Sequence, residues 1–287
     1  MSVLTDTFEL RNGVKIPKVG FGTWQIPDGE VTYNAVKNAL AAGYRHIDTA
    51  WQYGNEDSVG KAIRDSEIAR DRIFVTTKLP AKSKSYEESL QYFEESIKNL
   101  GLDYVDLFLI HAPWPWDEMG ADYSKENVEV WRAMEEIYKS GRAKAIGISN
   151  FNVQDQKNIL ENCEIEPMVN QLQYYIGYTE TGNVRFAKQS GMLVEAFSPL
   201  ATGYLLHNQD VADIAKNNHV SVAQLAIKYC LQHNIVPLPK AINPTHPKAI
   251  NPTHIEENTN LDFVIPDEDM ETLDSLVDTA PGEDHNE

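Results

Sequence analysis

Cysteine is almost missing from this 287-residue chain: Cys163 and Cys230 are too few for a disulfide framework and lack metal-ligand spacing, which fits a reducing compartment. Cationic side chains are also in deficit, with 25 Lys+Arg against 43 Asp+Glu and a formal net charge of −18. A surface of that sign repels a polyphosphate backbone, which excludes a nucleic-acid partner but leaves room for a local cationic pocket holding one small phosphate. No apolar run approaches the ~20 residues of a spanning helix. The opening MSVLTDTFELRNG lacks the basic-then-apolar order of a secretory signal. The expectation is a soluble, cytoplasmic protein with no membrane or nucleic-acid partner. No G-x-G-x-x-G opens a helix after the first strand-like run, so a Rossmann dinucleotide site is not expected.

Hydrophobic residues make up 42% of the chain, enough for a substantial core. Short β-branched apolar runs alternate with longer amphipathic stretches, the pattern of βα units. The runs are KVGFGT (18–23), RHIDT (45–49), RIFVTTK (72–78), YVDLFLIH (104–111), AKAIGIS (143–149), MVNQLQY (168–174), LVEAFS (193–198) and IVPLPK (235–240). Helices are expected at 31–42, 86–100, 127–140, 153–163, 181–189 and 221–232, several opened by Ser, Thr or Asn caps. Eight units in this length predict an α/β fold, a (β/α)8 TIM barrel. Asn12-Gly13 between two alternating stretches predicts an amino-terminal β-hairpin plug, about 7–17. No linker splits the chain, so residues 1–287 read as one domain with a frayed acidic tail at 281–287. PKAINPTH occurs twice in succession, at 239–246 and 247–254. That period is far below the ~20 residues of a solenoid repeat, so the copy reads as a tolerated loop insertion.

Active sites of such barrels lie at the carboxyl ends of the strands, which singles out Asp48, Tyr53, Lys78 and His111. Singly, each has an ordinary explanation: a turn cap, rim packing, a snorkelling lysine, a satisfied core histidine. Together they form a proton-transfer site. A tyrosine hydroxyl, with a reference pKa near ~10, acts as a general acid near neutrality when a cation lowers it. A buried Lys78 would supply that cation and Asp48 would keep it charged. Neutral His111 would donate a hydrogen bond to a substrate carbonyl. Neither a nucleophile nor a metal set accompanies them, and a carbonyl that needs only a proton points to hydride from a nicotinamide.

GYRHIDTAWQYGNEDSVG (43–60) resembles the first signature of the aldo-keto reductases, AKAIGISNF (143–151) resembles the second, and VPLPK (236–240) begins like the third. The similarity runs from residue 7 past Glu257, and the branch it most resembles is the microbial 2,5-diketo-D-gluconate reductase-like group. The resemblance implies NAD(P)H-dependent reduction of a small aldehyde or ketone by a monomer. Tyr53 is then the proton donor, Lys78 and Asp48 its pKa-lowering partners, and His111 the orienting residue. It also implies a cofactor bed. Ser149, Asn150 and Gln171 would meet the nicotinamide carboxamide, and Phe197 would stack on its ring. Ser198, Leu200 and Thr202 would follow the pyrophosphate and Glu257 and Asn258 the adenine, while Thr23 and Trp24 would sit where the first loop meets nicotinamide and substrate.

The third signature normally continues with Ser or Thr and later Arg around the NADPH 2′-phosphate. Here Ala241 follows Lys240, and His254 stands where Arg is usual. Arg offers a charged bidentate fork and neutral His a single donor, so NADH is expected to be accepted beside NADPH. The copied segment leaves open which lysine faces the cofactor. Ala112 stands where relatives often carry Trp, and Trp24, Trp51, Pro80, Ala112 and Trp114 are expected to shape the substrate pocket; Trp116 reads equally as wall or as packing. The acidic loop 117–127 is expected to act as a lid. Two other functions remain open at this stage: a Schiff-base lyase or aldolase using Lys78, disfavoured if Asp48 keeps it protonated, and a non-catalytic NADP-binding regulatory subunit.

Overall fold

A computed structural model gives the structure of residues 3–179, 181–240, 242–243 and 246–283, with backbone alone for 242–243 and 246–250. An antiparallel hairpin opens it, β1 (Thr7–Glu9) against β2 (Lys15–Pro17). Gly13 turns the chain at φ +83°, a left-handed conformation that glycine adopts without steric cost, and Asn12 Oδ1 accepts the Val14 N–H at 3.2 Å. Leu10 and Ile16 pack with Phe74, Leu107, Leu109, Ala145 and Val169 in one buried cluster, so the hairpin plugs the barrel where its strands begin.

The barrel follows as β3 (Phe21–Gly22), α1 (Glu30–Ala41), β4 (His46–Asp48), α2 (Glu56–Arg64), β5 (Phe74–Leu79), α3 (Tyr86–Leu100), β6 (Val105–Ile110) and α4 (Ser124–Lys139). Its second half is β7 (Ala143–Ser149), α5 (Val153–Asn162), β8 (Val169–Gln173), α6 (Thr181–Gln189), β9 (Leu193–Phe197), α7 (Gln209–Asn217), α8 (Val222–Gln232) and β10 (Val236–Pro237). The eight strands β3 to β10 pair in sequence order. Gly20 N–H to Pro237 O at 3.0 Å and Gly22 N–H to Pro239 O at 3.1 Å join the last strand to the first. Closure there requires glycine: a Cβ on Gly20 would sit 2.5 Å from Leu238 Cδ2 and 2.7 Å from His46 Nδ1.

Each of the eight sequence runs carries one barrel strand, because β-branched residues buried on both faces are what a parallel sheet under helices demands. The expected caps are present at Ser85, Asn152 and Ser221, the last as a capping box with Gln224. Helix α4 begins at Ser124, three residues earlier than expected, which shortens the acidic loop to 117–123.

Beyond β10, β11 (Ile242–Asn243) pairs antiparallel with β12 (His246–Ile250), and α9 (Pro252–Glu257) and α10 (Asp267–Ser275) follow. The two identical octapeptides therefore adopt different structures. Ile242 in the first pairs with its own equivalent, Ile250, in the second, whereas the second Asn-Pro-Thr-His caps and opens α9 through Asn251. Ala241 lies outside the described residues.

Candidate active site

Parallel pairing sets the carboxyl ends of the strands side by side and so brings the four chemistry-bearing residues together. Asp48 ends β4, Tyr53 closes the 3₁₀ turn that follows, Lys78 stands one residue before the end of β5, and His111 directly follows β6. Lys78 is fully buried and spends its ammonium on Asp48 Oδ1 at 2.7 Å, Thr49 O at 2.9 Å and the Tyr53 hydroxyl at 3.4 Å. Burial pulls the Lys78 pKa down, but Asp48, Tyr53 and Glu195 outweigh it and the net shift is upward, so the ammonium stays charged.

Tyr53 departs from expectation. Burial raises its pKa, and the opposing pull of Lys78 reduces that rise without reversing it. The expected downward shift is therefore not present, because the hydroxyl is taken out of water along with its neighbours. The consequence suits an acid: at neutral pH the phenol carries its proton. His111 is also buried and held well below the ordinary histidine value, by burial first and by Lys78 second, so it is neutral as expected. Its ring is wedged edge-on between Tyr53, centroids 5.5 Å apart, and Trp116, 5.4 Å apart.

A cavity of about 1150 Å³ opens over these residues and is lined by Asp48, Tyr53 and His111. It exceeds the ~300–1,000 Å³ of an ordinary small-molecule pocket, enough for an extended ligand with a smaller one beside it. The expected cofactor residues converge on it. Ser149, Asn150, Gln171, Phe197, Ser198, Leu200 and Thr202 line one stretch, while Lys240, His254, Glu257 and Asn258 line another. Lys240 thus comes from the first octapeptide and His254 from the second. Lys240 Nζ donates to Gln25 Oε1 at 2.6 Å and lies 5.2 Å from the Trp24 ring centroid; burial lowers its pKa to about 8.

The bed is cross-braced. Ser149 Oγ donates to Gln171 O at 2.9 Å, and Asn150 Nδ2 donates to His111 O at 2.9 Å. Gln171 Nε2 donates to Asp48 Oδ2 at 3.0 Å and to Glu195 Oε2 at 2.8 Å. Both amide protons are thereby used on carboxylates, which leaves the amide oxygen of this cavity-lining residue as an acceptor. A free acceptor beside Ser149 and Asn150, a half-buried Phe197 wall, and a lysine and histidine at the far end together fit a phosphorylated nicotinamide dinucleotide.

Not every expected residue reaches the cavity. Thr23 is buried behind it, its hydroxyl donating to Asp48 O at 3.0 Å, so it braces β4 and does not face a ligand. Of the expected substrate wall, Trp24 lines the cavity but Trp51, Pro80, Ala112 and Trp114 do not. Trp51 turns outward, its ring edge-on to Tyr92 and its Nε1 donating to Glu95 at 3.0 Å. Ala112 and Trp114 pack with Ala81 under the rim. Gln25 and Gln52, which no motif or periodicity marks, also form wall, and so does Trp116, which by sequence is equally wall or packing. In the tail expected at 281–287, Glu283 accepts from Thr202 Oγ1 at 2.7 Å and Gln173 Nε2 at 3.2 Å inside the cavity, and 284–287 lie outside the described residues.

A model of the aldo/keto reductase family matches residues 18–278. The chain is 40% identical over 274 residues to a glyoxal reductase of Bacillus subtilis, covering 95% of this chain and 93% of that one. Among solved structures, it superposes with a TM-score of 0.86 on an aldo-keto reductase from a Medee basin deep-sea metagenome library, at 39% identity and 94% and 95% coverage. A Bombyx mori aldo-keto reductase in complex with NADP gives a TM-score of 0.82 at 30% identity, covering 95% of this chain and 93% of that one.

Proposed function

The chain belongs to the aldo/keto reductase family of NAD(P)H-dependent oxidoreductases, and from that premise we propose that it reduces a small aldehyde or ketone to the alcohol with Tyr53 as proton donor. The observation that carries the reading is the contact of Tyr53 with the buried Lys78–Asp48 pair at the floor of the cavity. A bound nicotinamide supplies the hydride in this chemistry. Gln171, Ser149 and Asn150 would hold its carboxamide, and Lys240 with His254 its 2′-phosphate.

Tyr53 delivers its proton to the carbonyl oxygen as charge develops there, and Lys78, 3.4 Å away, stabilises the phenolate left behind. Neutral His111 orients the same oxygen without competing for the proton. Trp24, Gln52 and Trp116 provide a wall part aromatic and part polar, which suits a small carbonyl compound bearing a polar group. Replacing Tyr53 with Phe is expected to lower turnover at least ~10³-fold while leaving cofactor affinity within about twofold. Retention of a tenth of the activity would rule out the proton-donor role.

Lys78 does not suit a Schiff base, because it is fully buried and its charge is reinforced by Asp48. The complete set of four residues around an open cavity also argues for a catalyst over a regulatory subunit. The same reading includes acceptance of NADH beside NADPH, supported by His254 in place of a guanidinium, and membership of the 2,5-diketo-D-gluconate reductase-like branch, supported by compact loops. It takes the chain as one domain that acts as a cytoplasmic monomer.

A further inference from the structure

Glu195 is a fully buried carboxyl in the middle of β9, and the proton-transfer steps above make no use of it. Its Oε2 accepts from Gln171 Nε2 at 2.8 Å, and its Oε1 faces His46 Nε2 at 3.8 Å, too far for a hydrogen bond. Register explains the first contact, since Gln171 of β8 lies directly opposite Glu195 of β9. The same Gln171 nitrogen is held by Asp48 Oδ2 at 3.0 Å, so a flipped amide would set its oxygen against the carboxylate that pairs with Lys78. Gln171 is thus clamped at one end by two acids from opposite sides.

We propose that Glu195 is a positioning residue of the cofactor site: with Asp48 it locks the Gln171 carboxamide with its nitrogen toward the barrel interior and its oxygen toward the cavity, as the acceptor for the nicotinamide carboxamide. The inference rests on the nicotinamide reading above and extends it to a residue that touches neither cofactor nor substrate. An unclamped amide would present donor and acceptor alternately, and the cofactor would have to select one orientation on binding. The groups facing Glu195 are His46 and Asp48 of β4, Lys78 of β5 and Gln171 of β8. His46 is held neutral and Lys78 charged by their surroundings, so near neutrality and above it the change available in this cluster is ionisation of Glu195 itself, whose pKa burial and then Asp48 raise to about 8.

The test compares two probes titrated by tryptophan fluorescence: NADPH and 2′-phospho-ADP-ribose, which has the phosphate and adenine ends but no nicotinamide. Glu195→Leu is expected to weaken NADPH about tenfold, ~1.4 kcal/mol, and to leave 2′-phospho-ADP-ribose within twofold. Glu195→Gln, which keeps an acceptor for Gln171, is expected to restore NADPH affinity to within about twofold to threefold. Equal weakening of both probes would assign Glu195 a purely structural role and overturn the proposal, as would unchanged NADPH affinity in Glu195→Leu. If that variant does not fold, the unaltered protein still decides. Its affinity for NADPH relative to 2′-phospho-ADP-ribose should rise roughly threefold from pH 7 to pH 9, as an ionised Glu195 accepts more strongly. Titration of Lys240 affects both probes and cancels in that ratio, and a flat ratio would overturn the proposal. Failure of the unaltered protein to bind either NADPH or NADH, with 2′-phospho-ADP-ribose still bound, would remove the nicotinamide reading itself and this inference with it.

Discussion

Replacing Asp48 with Asn exchanges one carboxylate oxygen for an amino group at a buried point of the site. Asp48 Oδ1 takes the Lys78 ammonium at 2.7 Å, and Oδ2 takes Gln171 Nε2 at 3.0 Å. Asparagine can accept from Lys78 through its single oxygen, but its amino group then meets the Gln171 amino group, donor against donor. Breaking a buried ion pair by removing one partner typically costs ~3–5 kcal/mol, and Lys78 with no solvent exposure sits within that case. At ~2–4 °C per kcal/mol for a protein of this size, the melting temperature should fall on the order of 10 °C.

In the unaltered protein the Lys78 pKa is raised, so its contribution is complete below the ordinary lysine value of 10.5 and is lost only as pH rises through the higher folded value. Without Asp48, burial dominates and the folded pKa falls below 10.5. The unfolded chain then binds a proton that the folded chain does not, and stability rises with pH between the two values. The deficit of Asp48→Asn relative to the unaltered protein should therefore shrink between pH 7 and pH 9.5, read by urea unfolding followed by tryptophan fluorescence. Adding Lys78→Met should recover much of the loss, since the charge left unpaired is removed with it. A deficit under ~1 kcal/mol at pH 7, or one that does not change with pH, would refute the picture of a buried ammonium dependent on Asp48.

His46 is fully buried, and its pKa is held down to about 3 by burial and then by Lys78, so below the ordinary 6.5 the unfolded chain takes up a proton that the folded chain refuses. Stability should fall by ~2 kcal/mol from this residue between pH 6.5 and pH 4.5, and His46→Gln should flatten that part of a urea-unfolding profile. Deleting either octapeptide, 239–246 or 247–254, gives the same shortened chain, in which one lysine and one histidine serve the loop. That chain should unfold within ~1 kcal/mol of the parent and bind NADPH at least as tightly, because a longer surface loop adds little entropy; tenfold weaker binding would show that the second copy contributes to the site. Glu283 places a carboxylate on Thr202, where an anionic pyrophosphate is expected to lie. Glu283→Gln should tighten NADPH roughly threefold by calorimetry, with the gain reduced at high salt.

The barrel was legible because strands buried on both faces and helices buried on one leave different periods in the sequence. The proposed catalytic floor was legible because strand ends of a parallel barrel share one face, so Asp48, Lys78 and His111 could be placed there before any contact was known. Side-chain direction just past a strand end carries no such periodicity. Trp51 and Trp24 both follow strands closely, yet Trp51 turns away to Tyr92 and Glu95 while Trp24 lines the cavity beside Lys240. The return of Glu283 to Thr202 depends on a contact across 81 positions, which local composition cannot encode. Glu195 was readable in principle: in LVEAF it shares the inward face with Phe197, and a carboxylate on the interior face of a barrel strand requires a partner.

The interior of this barrel is divided along its axis, and the division explains why the site tolerates so much buried polarity. Below, Phe74, Leu107, Leu109 and Val169 meet the hairpin in an apolar layer that has no need of hydrogen bonds. Above, Lys78 faces Asp48, and Gln171 bridges Asp48 and Glu195, while the second Glu195 oxygen has no hydrogen-bond partner among the described residues. The backbone shows the same strain at the rim. Gln25, Asn150, Ser198 and Thr202 all line the cavity with φ between 49° and 63°, a conformation that costs a non-glycine residue ~1–2 kcal/mol. Such costs persist only where the rest of the fold over-determines the geometry, and here the plugged, closed lower barrel does so. The polar layer and these left-handed residues thus meet at the cavity end of the barrel, where Asp48, Lys78, Gln171 and Glu195 hold one another in place.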